Sequence, residues 1–229
     1  MSKELSEIIN RIETQFEDLR NEENASFMQK YMKDKFQFYG IKAPERKQVL
    51  KEIKSLFPKE FSEDFISLSF ACFEKQEREW HQFGVDCLLQ NKKKLTPNHL
   101  DDIERLILTH SWWDTVDMLA ITCVGAILLD EKEVRNEYIE RWRSHDSIWL
   151  NRTSIIFQLK FKKATDVDLL SDLIEQFRVS KEFFIQKAIG WTLREYSTLH
   201  PEWVRAFVSK TQLKPLSKRE ALRKMSNEK

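Results

Sequence analysis

The sequence predicts an all-α protein built as an α-solenoid, and three observations favour this fold class. The chain of 229 residues holds only 4 Gly and 5 Pro, too few chain breakers for an all-β or Rossmann-type fold. Charged residues make up 33% of it and hydrophobic residues 41%, which suits amphipathic helices joined by short turns. Helix starts recur about every 35 residues, a spacing typical of stacked helical hairpins.

The helices are assigned in order from apolar periodicity and from helix start signals. In the first helix, Leu5, Ile8 and Ile12 recur at helical spacing. Residues 36–43 form a connector that contains a glycine, and Pro44 then suits the first turn of a helix. Helices are predicted at about 3–19, 24–34, 44–56, 62–74, 77–92, 97–109, 112–129, 132–143, 147–162, 166–177, 181–197, 201–210 and 217–226.

These helices pair into a repeat whose units differ from the common consensus patterns. The first helix of each pair begins near residues 62, 97, 132, 166 and 201. Neither the TPR nor the ankyrin pattern fits, and divergent HEAT-like pairs match better. We therefore expect about six HEAT-like antiparallel helical hairpins in a single domain over residues 1–229. The array should be curved, with its second helices lining a basic concave face.

The charge is balanced overall but unevenly distributed. The net charge is +1, so the chain as a whole offers no basic field to a nucleic acid. Residues 1–24 carry three basic and seven acidic side chains, whereas residues 141–163 carry six basic and one acidic. Residues 201–229 carry eight basic and three acidic side chains. A neutral protein with a basic downstream half can still present a basic groove.

The cysteines and apolar segments indicate a cytoplasmic protein. Cys72, Cys87 and Cys123 lie in apolar helical contexts without a CxxC pair, which favours reduced core thiols over disulfides or zinc ligands. The acidic, amphipathic N-terminus is unlike a signal peptide. The uncharged run 118–129 is too short to span a bilayer. We therefore expect no membrane partner.

The segment 111–117 (SWWDTVD) places two tryptophans and two carboxylates within seven residues. Ser111 is a good N-cap, and Asp114 three residues later resembles the second half of a capping box. If the helix continues, Trp113 and Asp117 lie four residues apart on one face. The structural alternative is a core Trp113 and a solvated first-turn Asp117 favoured by the helix dipole.

Aromatic side chains alternate with cations along the next second helices. The two predicted stripes consist of Trp149, Arg152, Ile156 and Lys160, and of Phe184, Lys187, Trp191 and Arg194. The last repeat adds Lys218, Arg219, Arg223 and Lys224. Cations that neutralise phosphates next to aromatic surfaces suit a nucleic-acid groove. Alternatively, Trp149 and Trp191 fill core positions. Arg152 and Lys160 would then be ordinary solvated charges.

Several chemistries lack a matching motif. The 5 histidines are scattered without metal-ligand spacing, so no metal site is predicted. No nucleotide-binding, catalytic-triad or EF-hand pattern occurs, so we expect no cofactor. What remains is a carboxylate with aromatic faces on a basic groove, which suits a reaction centre that becomes positively charged. Hydrolysis of a glycosidic bond through an oxocarbenium-like state is one such reaction.

Longer motifs carry a family resemblance. Segments 31–47, 111–117, 148–163, 180–196 and 215–221 resemble the bacterial AlkD-type DNA alkylation repair enzymes, and the match extends over most of the chain. The resemblance implies a monofunctional DNA glycosylase of HEAT-like repeats, acting in base excision repair. Its substrates would be cationic N3- and N7-alkylated purines in duplex DNA, such as 3-methyladenine and 7-methylguanine. Unlike most glycosylases, it would not need to flip the base into a pocket.

The same resemblance implies roles for individual residues. Asp117 would be the catalytic carboxylate, and Trp113 and Trp191 the aromatic surfaces against the deoxyribose of the lesion. The expected DNA-binding residues are Arg152 on the nearby backbone, Tyr31 and Lys160 as supporting contacts, and Lys187 and Arg194 from the second stripe. The enzyme would work as a monomer in the bacterial cytoplasm or nucleoid. Two alternatives stay open, a non-catalytic DNA-binding solenoid and a protein-interaction scaffold.

Overall fold

A computed structural model describes residues 2–225 and is all-α over that range, which confirms the predicted fold class. The chain forms two compact helical units, the first ending at Lys94 and the second beginning at Leu95. Within residues 2–225, extended pairing is limited to one isolated bridge between Gln37 and Glu77. None of the helices in this range is both long enough and apolar enough to cross a membrane.

The described part of the first unit contains six α-helices around an aromatic core. They are α1 (Lys3–Asp18), α2 (Glu22–Tyr31), α3 (Ala43–Leu56), α4 (Pro58–Glu63), α5 (Phe65–Phe73) and α6 (Arg78–Gln90). The ring of Phe16 contacts Trp80 and Phe83 at centroid distances of 5.0 and 5.8 Å. Cys72 and Cys87 are buried free thiols, as predicted, and burial raises the pKa of both, which keeps them protonated.

The connector between α2 and α3 is held by a buried carboxylate. Glu79 of α6 accepts hydrogen bonds from the backbone N–H groups of Tyr39, Gly40 and Ile41 at 3.1, 2.8 and 3.0 Å. Gly40 has a φ of +90°, and a Cβ there would lie 2.0 Å from the carbonyl oxygen of Asn21, so only glycine fits. The predicted connector is therefore confirmed, and α6 determines its path.

Glu79→Gln is expected to lower the free energy of unfolding by about 2 kcal/mol, because the amide NH₂ would face buried backbone N–H donors and leave one unsatisfied. Urea unfolding followed by circular dichroism measures the change. Glu74→Gln, at the exposed end of α5, is the control and should change stability by less than about 0.5 kcal/mol. Equal stability of the Glu79→Gln and wild-type proteins would contradict the proposed role of Glu79 in stabilising the connector.

Two predicted helices of the first unit differ from the observed ones. Helix α2 begins and ends earlier than predicted, and it ends early because Lys33 and Asp34 adopt left-handed φ values of 57° and 55°. The helix predicted over 62–74 is two helices, α4 and α5, which meet at Asp64. Helix α4 starts with Pro58 in its first turn, a signal that the periodicity analysis did not use.

The described part of the second unit repeats a pair of packed helices. Its α-helices are α7 (Leu100–Leu108), α8 (Trp113–Met118), α9 (Gly125–Leu128), α10 (Lys132–Arg143), α11 (Ile148–Ile156), α12 (Val167–Phe177), α13 (Phe183–Tyr196), α14 (Pro201–Lys210) and α15 (Pro215–Leu222). The starts of α10, α12 and α14 confirm the predicted repeat. Second helices pack on each other in sequence, α11 on α13 and α13 on α15. Helix α15 begins and ends earlier than the helix predicted over 217–226, whose last residue lies outside the described residues.

The helix predicted over 112–129 is present from Trp113 to Leu128, but it is not α-helical throughout. A π-helical segment, Leu119–Val124, separates α8 from α9. A π turn inserts an extra residue, so α9 is rotated relative to an uninterrupted α-helix. The run gives no sequence signal for this change, because its uncharged side chains do not distinguish one helix face from another. Cys123 is buried within the π segment as a free thiol, as predicted.

Helix α11 is shorter than the predicted helix 147–162. It ends at Ile156, and the chain then turns. The Gln158 side chain accepts from the backbone N–H of Asp166 at 2.9 Å and donates to its carbonyl oxygen at 3.2 Å, which stabilises the turn. Lys160 therefore lies in this turn and not on the face of α11 where periodicity placed it.

Candidate active site

Asp117 and Arg152 form a buried ion pair between α8 and α11. Arg152 Nε donates to Asp117 Oδ1 and its Nη2 donates to Oδ2, both at 2.7 Å. The third guanidinium nitrogen, Nη1, donates to the carbonyl oxygen of Phe184 in α13 at 2.6 Å. One guanidinium therefore joins three helical segments. Two parallel charge-assisted hydrogen bonds hold the carboxylate in a single orientation.

Asp117 is the more accessible partner of this buried ion pair. The side chain of Asp117 is 13% exposed, whereas that of Arg152 is only 5% exposed. An ionised carboxylate has about four acceptor positions, and the bidentate guanidinium uses two of them. The carboxylate therefore keeps acceptor capacity for a further hydrogen bond.

Burial and the guanidinium act in opposite directions on Asp117. Burial raises the pKa of Asp117 above the ordinary value of an aspartate. The hydrogen bonds and the positive charge of Arg152 oppose this rise, while the nearby charge of Asp114 adds to it slightly. Asp117 therefore depends on Arg152 to stay ionised.

The turn before α8 places Asp117, and it differs from the predicted cap. Trp112, and not Ser111, is the N-cap residue, and it makes no side-chain capping bond. Ser111 Oγ instead donates to the carbonyl oxygen of Ile107 at 2.6 Å and so closes the preceding helix. Helix α8 begins at Trp113, which still leaves Trp113 and Asp117 one helical turn apart on one face.

An aromatic triad (Trp112, Trp149 and Phe184) packs where the same helical segments meet. The Trp112 ring lies 5.6 Å from that of Trp149 and 5.1 Å from that of Phe184, and the latter two are 4.9 Å apart. Trp112 and Trp149 are buried, so the alternative assignment of Trp149 to the core is confirmed. The triad supplies apolar surface beside the backbone carbonyl that Arg152 binds.

The two tryptophans predicted for catalysis are half-buried. Trp113 is the first residue of α8, one turn before Asp117. Trp191 lies on α13, seven residues after Phe184 and about 10 Å further along the helix. Its ring packs partly against the core of the second unit, as the structural alternative expected, and part of it remains at the surface.

Lys187 and Arg194 share a single carboxylate, and the exposed Arg223 lies at a longer distance from it, its Nη1 3.9 Å from Glu220 Oε2. Lys187 Nζ lies 3.0 Å from Glu220 Oε1, and Arg194 Nη1 lies 2.5 Å from Oε2. Glu220 belongs to α15 and is only 7% exposed. Burial alone would raise the pKa of Glu220, but the hydrogen bonds from the two cations outweigh it and hold that pKa below its ordinary value. Sequence analysis had not singled out Glu220.

The predicted surface stripe along α11 is wrong. Trp149, Arg152 and Ile156 are all buried because α11 packs against both α8 and α13. The guanidinium of Arg152 is engaged by Asp117 instead of being presented to a DNA backbone. Lys160 is exposed in the turn that follows. Tyr31, 70% exposed at the end of α2, belongs to the first unit.

Comparisons with known proteins give a consistent result. The family model described as DNA alkylation repair enzyme matches residues 12–225. The chain is also similar to a solved structure described as a predicted DNA alkylation repair enzyme from Enterococcus faecalis. The two are 31% identical with a TM-score of 0.82, and the match covers 91% of this chain and 97% of that chain. No curated protein matches the chain.

Proposed function

The chain belongs to the DNA alkylation repair enzyme family and acts in DNA repair, and we propose that it is a monofunctional DNA glycosylase. It would hydrolyse the N-glycosidic bond of cationic N3- and N7-alkylated purines in duplex DNA, without cofactor and as a monomer. The observation that carries the proposal is the ion pair that fixes the Asp117 carboxylate in one orientation and leaves Asp117 as its more accessible partner. A non-catalytic DNA-binding role would use this ion pair only to join the helices, and release of the free base separates the two roles.

The proposed reaction requires few catalytic groups from the protein. Alkylation at N3 or N7 gives the purine a positive charge, so it departs with the electron pair of the C1′–N bond and needs no general acid. The sugar is left as an oxocarbenium ion, which a nearby carboxylate stabilises. Asp117 also orients a water molecule. The water oxygen bonds to C1′, and its proton passes to the Asp117 carboxylate.

Arg152 takes a different role from the one predicted for it. As a positioning residue, it keeps Asp117 ionised and fixes the direction of the carboxylate. We propose that the half-buried rings of Trp113 and Trp191 face the sugar, where aromatic faces favour a cation. Lys160, Lys187, Arg194 and Tyr31 are the proposed DNA contacts.

Release of the free base tests this function. Duplex DNA treated with a methylating agent is incubated with the protein, and the released bases are separated by chromatography. We expect free 7-methylguanine and 3-methyladenine above the rate of spontaneous loss. Salt-sensitive duplex binding without release would instead favour a non-catalytic DNA-binding role. Absence of both would favour a protein-interaction scaffold.

The excision rate is expected to fall in acid with an apparent pKa above that of an ordinary aspartate. The ionised carboxylate is the active form, and burial raises the pKa of Asp117, so protonation removes activity at a higher pH than it would for an exposed group. The kcat/KM of excision is measured across the acid range. An activity that stays flat down to the ordinary aspartate pKa would contradict this assignment.

A further inference from the structure

One face of α13 carries Trp191 between two cations. Lys187, Trp191 and Arg194 follow a spacing of four and then three residues, so they share a helix face. Lys187 and Arg194 are about 10 Å apart along the helix axis. The carboxylate of Glu220 nevertheless binds both, one through each oxygen. It must therefore lie between them, at the level of Trp191.

A glycine brings Glu220 to this level. A Cβ at Gly190 would lie 2.4 Å from the Cβ of Glu220 and 2.9 Å from the carbonyl oxygen of Ser217, so only glycine allows α15 to approach so closely. The Ser217 hydroxyl also donates to the carbonyl oxygen of Gln186 at 3.0 Å. The backbone that carries Glu220 is thus held against the residue that directly precedes Trp191.

We propose that Glu220 is a positioning residue with two effects on the same face of α13. It holds that face in place so that Trp191 is aligned for excision, and it offsets the positive charges of Lys187 and Arg194 so that DNA is bound less tightly. This inference rests on the proposed glycosylase function for its first effect. The second effect concerns DNA binding alone and does not depend on catalysis.

The two effects change DNA binding and excision in opposite directions, which distinguishes this role from that of an ion pair that only stabilises the fold. Loss of a structural tie would loosen α13 and weaken binding and excision together. Loss of Glu220 as proposed here frees its two close partners, Lys187 and Arg194, for phosphates, so binding tightens while excision slows. A glycosylase gains from this arrangement because weaker attraction to undamaged backbone speeds its release from DNA.

Glu220→Gln tests the proposal, since the amide keeps the shape beside Gly190 and removes the charge. For duplex DNA, we expect the slope of log Kd against log salt concentration to increase by about 1 to 2, which corresponds to one phosphate contact for each freed cation. Single-turnover excision from saturated enzyme should slow by roughly tenfold to a hundredfold. Glu202→Gln is the matched control, because the Glu202 side chain is 89% exposed and lies 3.9 Å from Arg205, which is not one of the proposed DNA contacts. It should change neither quantity.

A double-mutant cycle tests whether Glu220 affects excision through Trp191. In a Trp191→Ala background, Glu220→Gln should slow excision little further, because the group that it aligns is gone. Additive losses, or an unchanged or shallower salt slope, would overturn the proposal. If Glu220→Gln does not fold, Glu220→Ala carries the same readouts, since alanine also removes the charge and keeps the Cβ that packs beside Gly190.

The DNA-binding measurement distinguishes a failure of this inference from a failure of the proposed function. If the wild-type protein excises no base, the glycosylase proposal fails, yet the salt slope of Glu220→Gln still reports on the two cations. A steeper slope in that case supports the charge effect and discards the alignment effect. A slope equal to that of the wild type overturns both.

Discussion

Asp117→Asn is expected to slow excision of N7-methylguanine by about a thousandfold while leaving duplex binding close to that of the wild type. The amide has nearly the same shape but no negative charge. It therefore cannot stabilise the oxocarbenium ion, and it cannot take the proton of the attacking water. The rate is measured by single-turnover excision with enzyme in excess, and binding by titration of the same duplex.

The matched control for this change is Asp114→Asn. Asp114 lies in the same helical turn and contributes only weakly to the electrostatic surroundings of Asp117. We expect less than about a threefold change in its excision rate. An excision rate near that of the wild type in Asp117→Asn, with the protein folded, would remove Asp117 from the mechanism.

Arg152→Met is expected to lower the free energy of unfolding by about 3 to 5 kcal/mol. Removal of one partner from a buried ion pair leaves the other charge uncompensated in a medium that solvates it poorly. The carbonyl oxygen of Phe184 also loses a charge-assisted hydrogen bond. Methionine retains most of the apolar stem, so the loss reports on the charge more than on packing. Urea unfolding measures it.

The double variant Asp117→Asn with Arg152→Met isolates the ion pair. Both groups are then neutral, so we expect most of the stability lost in Arg152→Met to return. If the losses in the free energy of unfolding are additive, the two side chains do not stabilise each other, contrary to what the 2.7 Å contacts indicate. Arg152→Lys at a bidentate site is not an equivalent change and should recover only part of the stability.

Periodicity and helix start signals predicted most of the fold of the second unit. Helix starts that recur about every 35 residues located the repeat, because the signals behind them are local to each helix. The π segment after α8 could not be predicted in this way. Its residues are uncharged on every side, and the choice between α and π turns depends on tertiary packing. The left-handed Lys33 and Asp34 likewise carry no glycine signal.

The candidate site was only partly predictable for a similar reason. Helical spacing placed Trp113 with Asp117 correctly, but it could not show which face of α11 is packed against its neighbours. Arg152 therefore looked like a surface cation, although it is the buried partner of Asp117. A signal for Glu220 did exist. It is the single acidic residue within the basic segment 203–225, a position that favours pairing with a cation.

The most direct test of the account uses an end-labelled duplex oligonucleotide that carries one N7-methylguanine. After incubation with the protein, half of each sample is treated with alkali to cleave abasic sites, and the strands are resolved on a denaturing gel. We predict cleavage at the lesion only after alkali, with the wild-type protein and not with Asp117→Asn. Intact strands after alkali would contradict glycosylase activity, and cleavage without alkali would contradict a monofunctional mechanism.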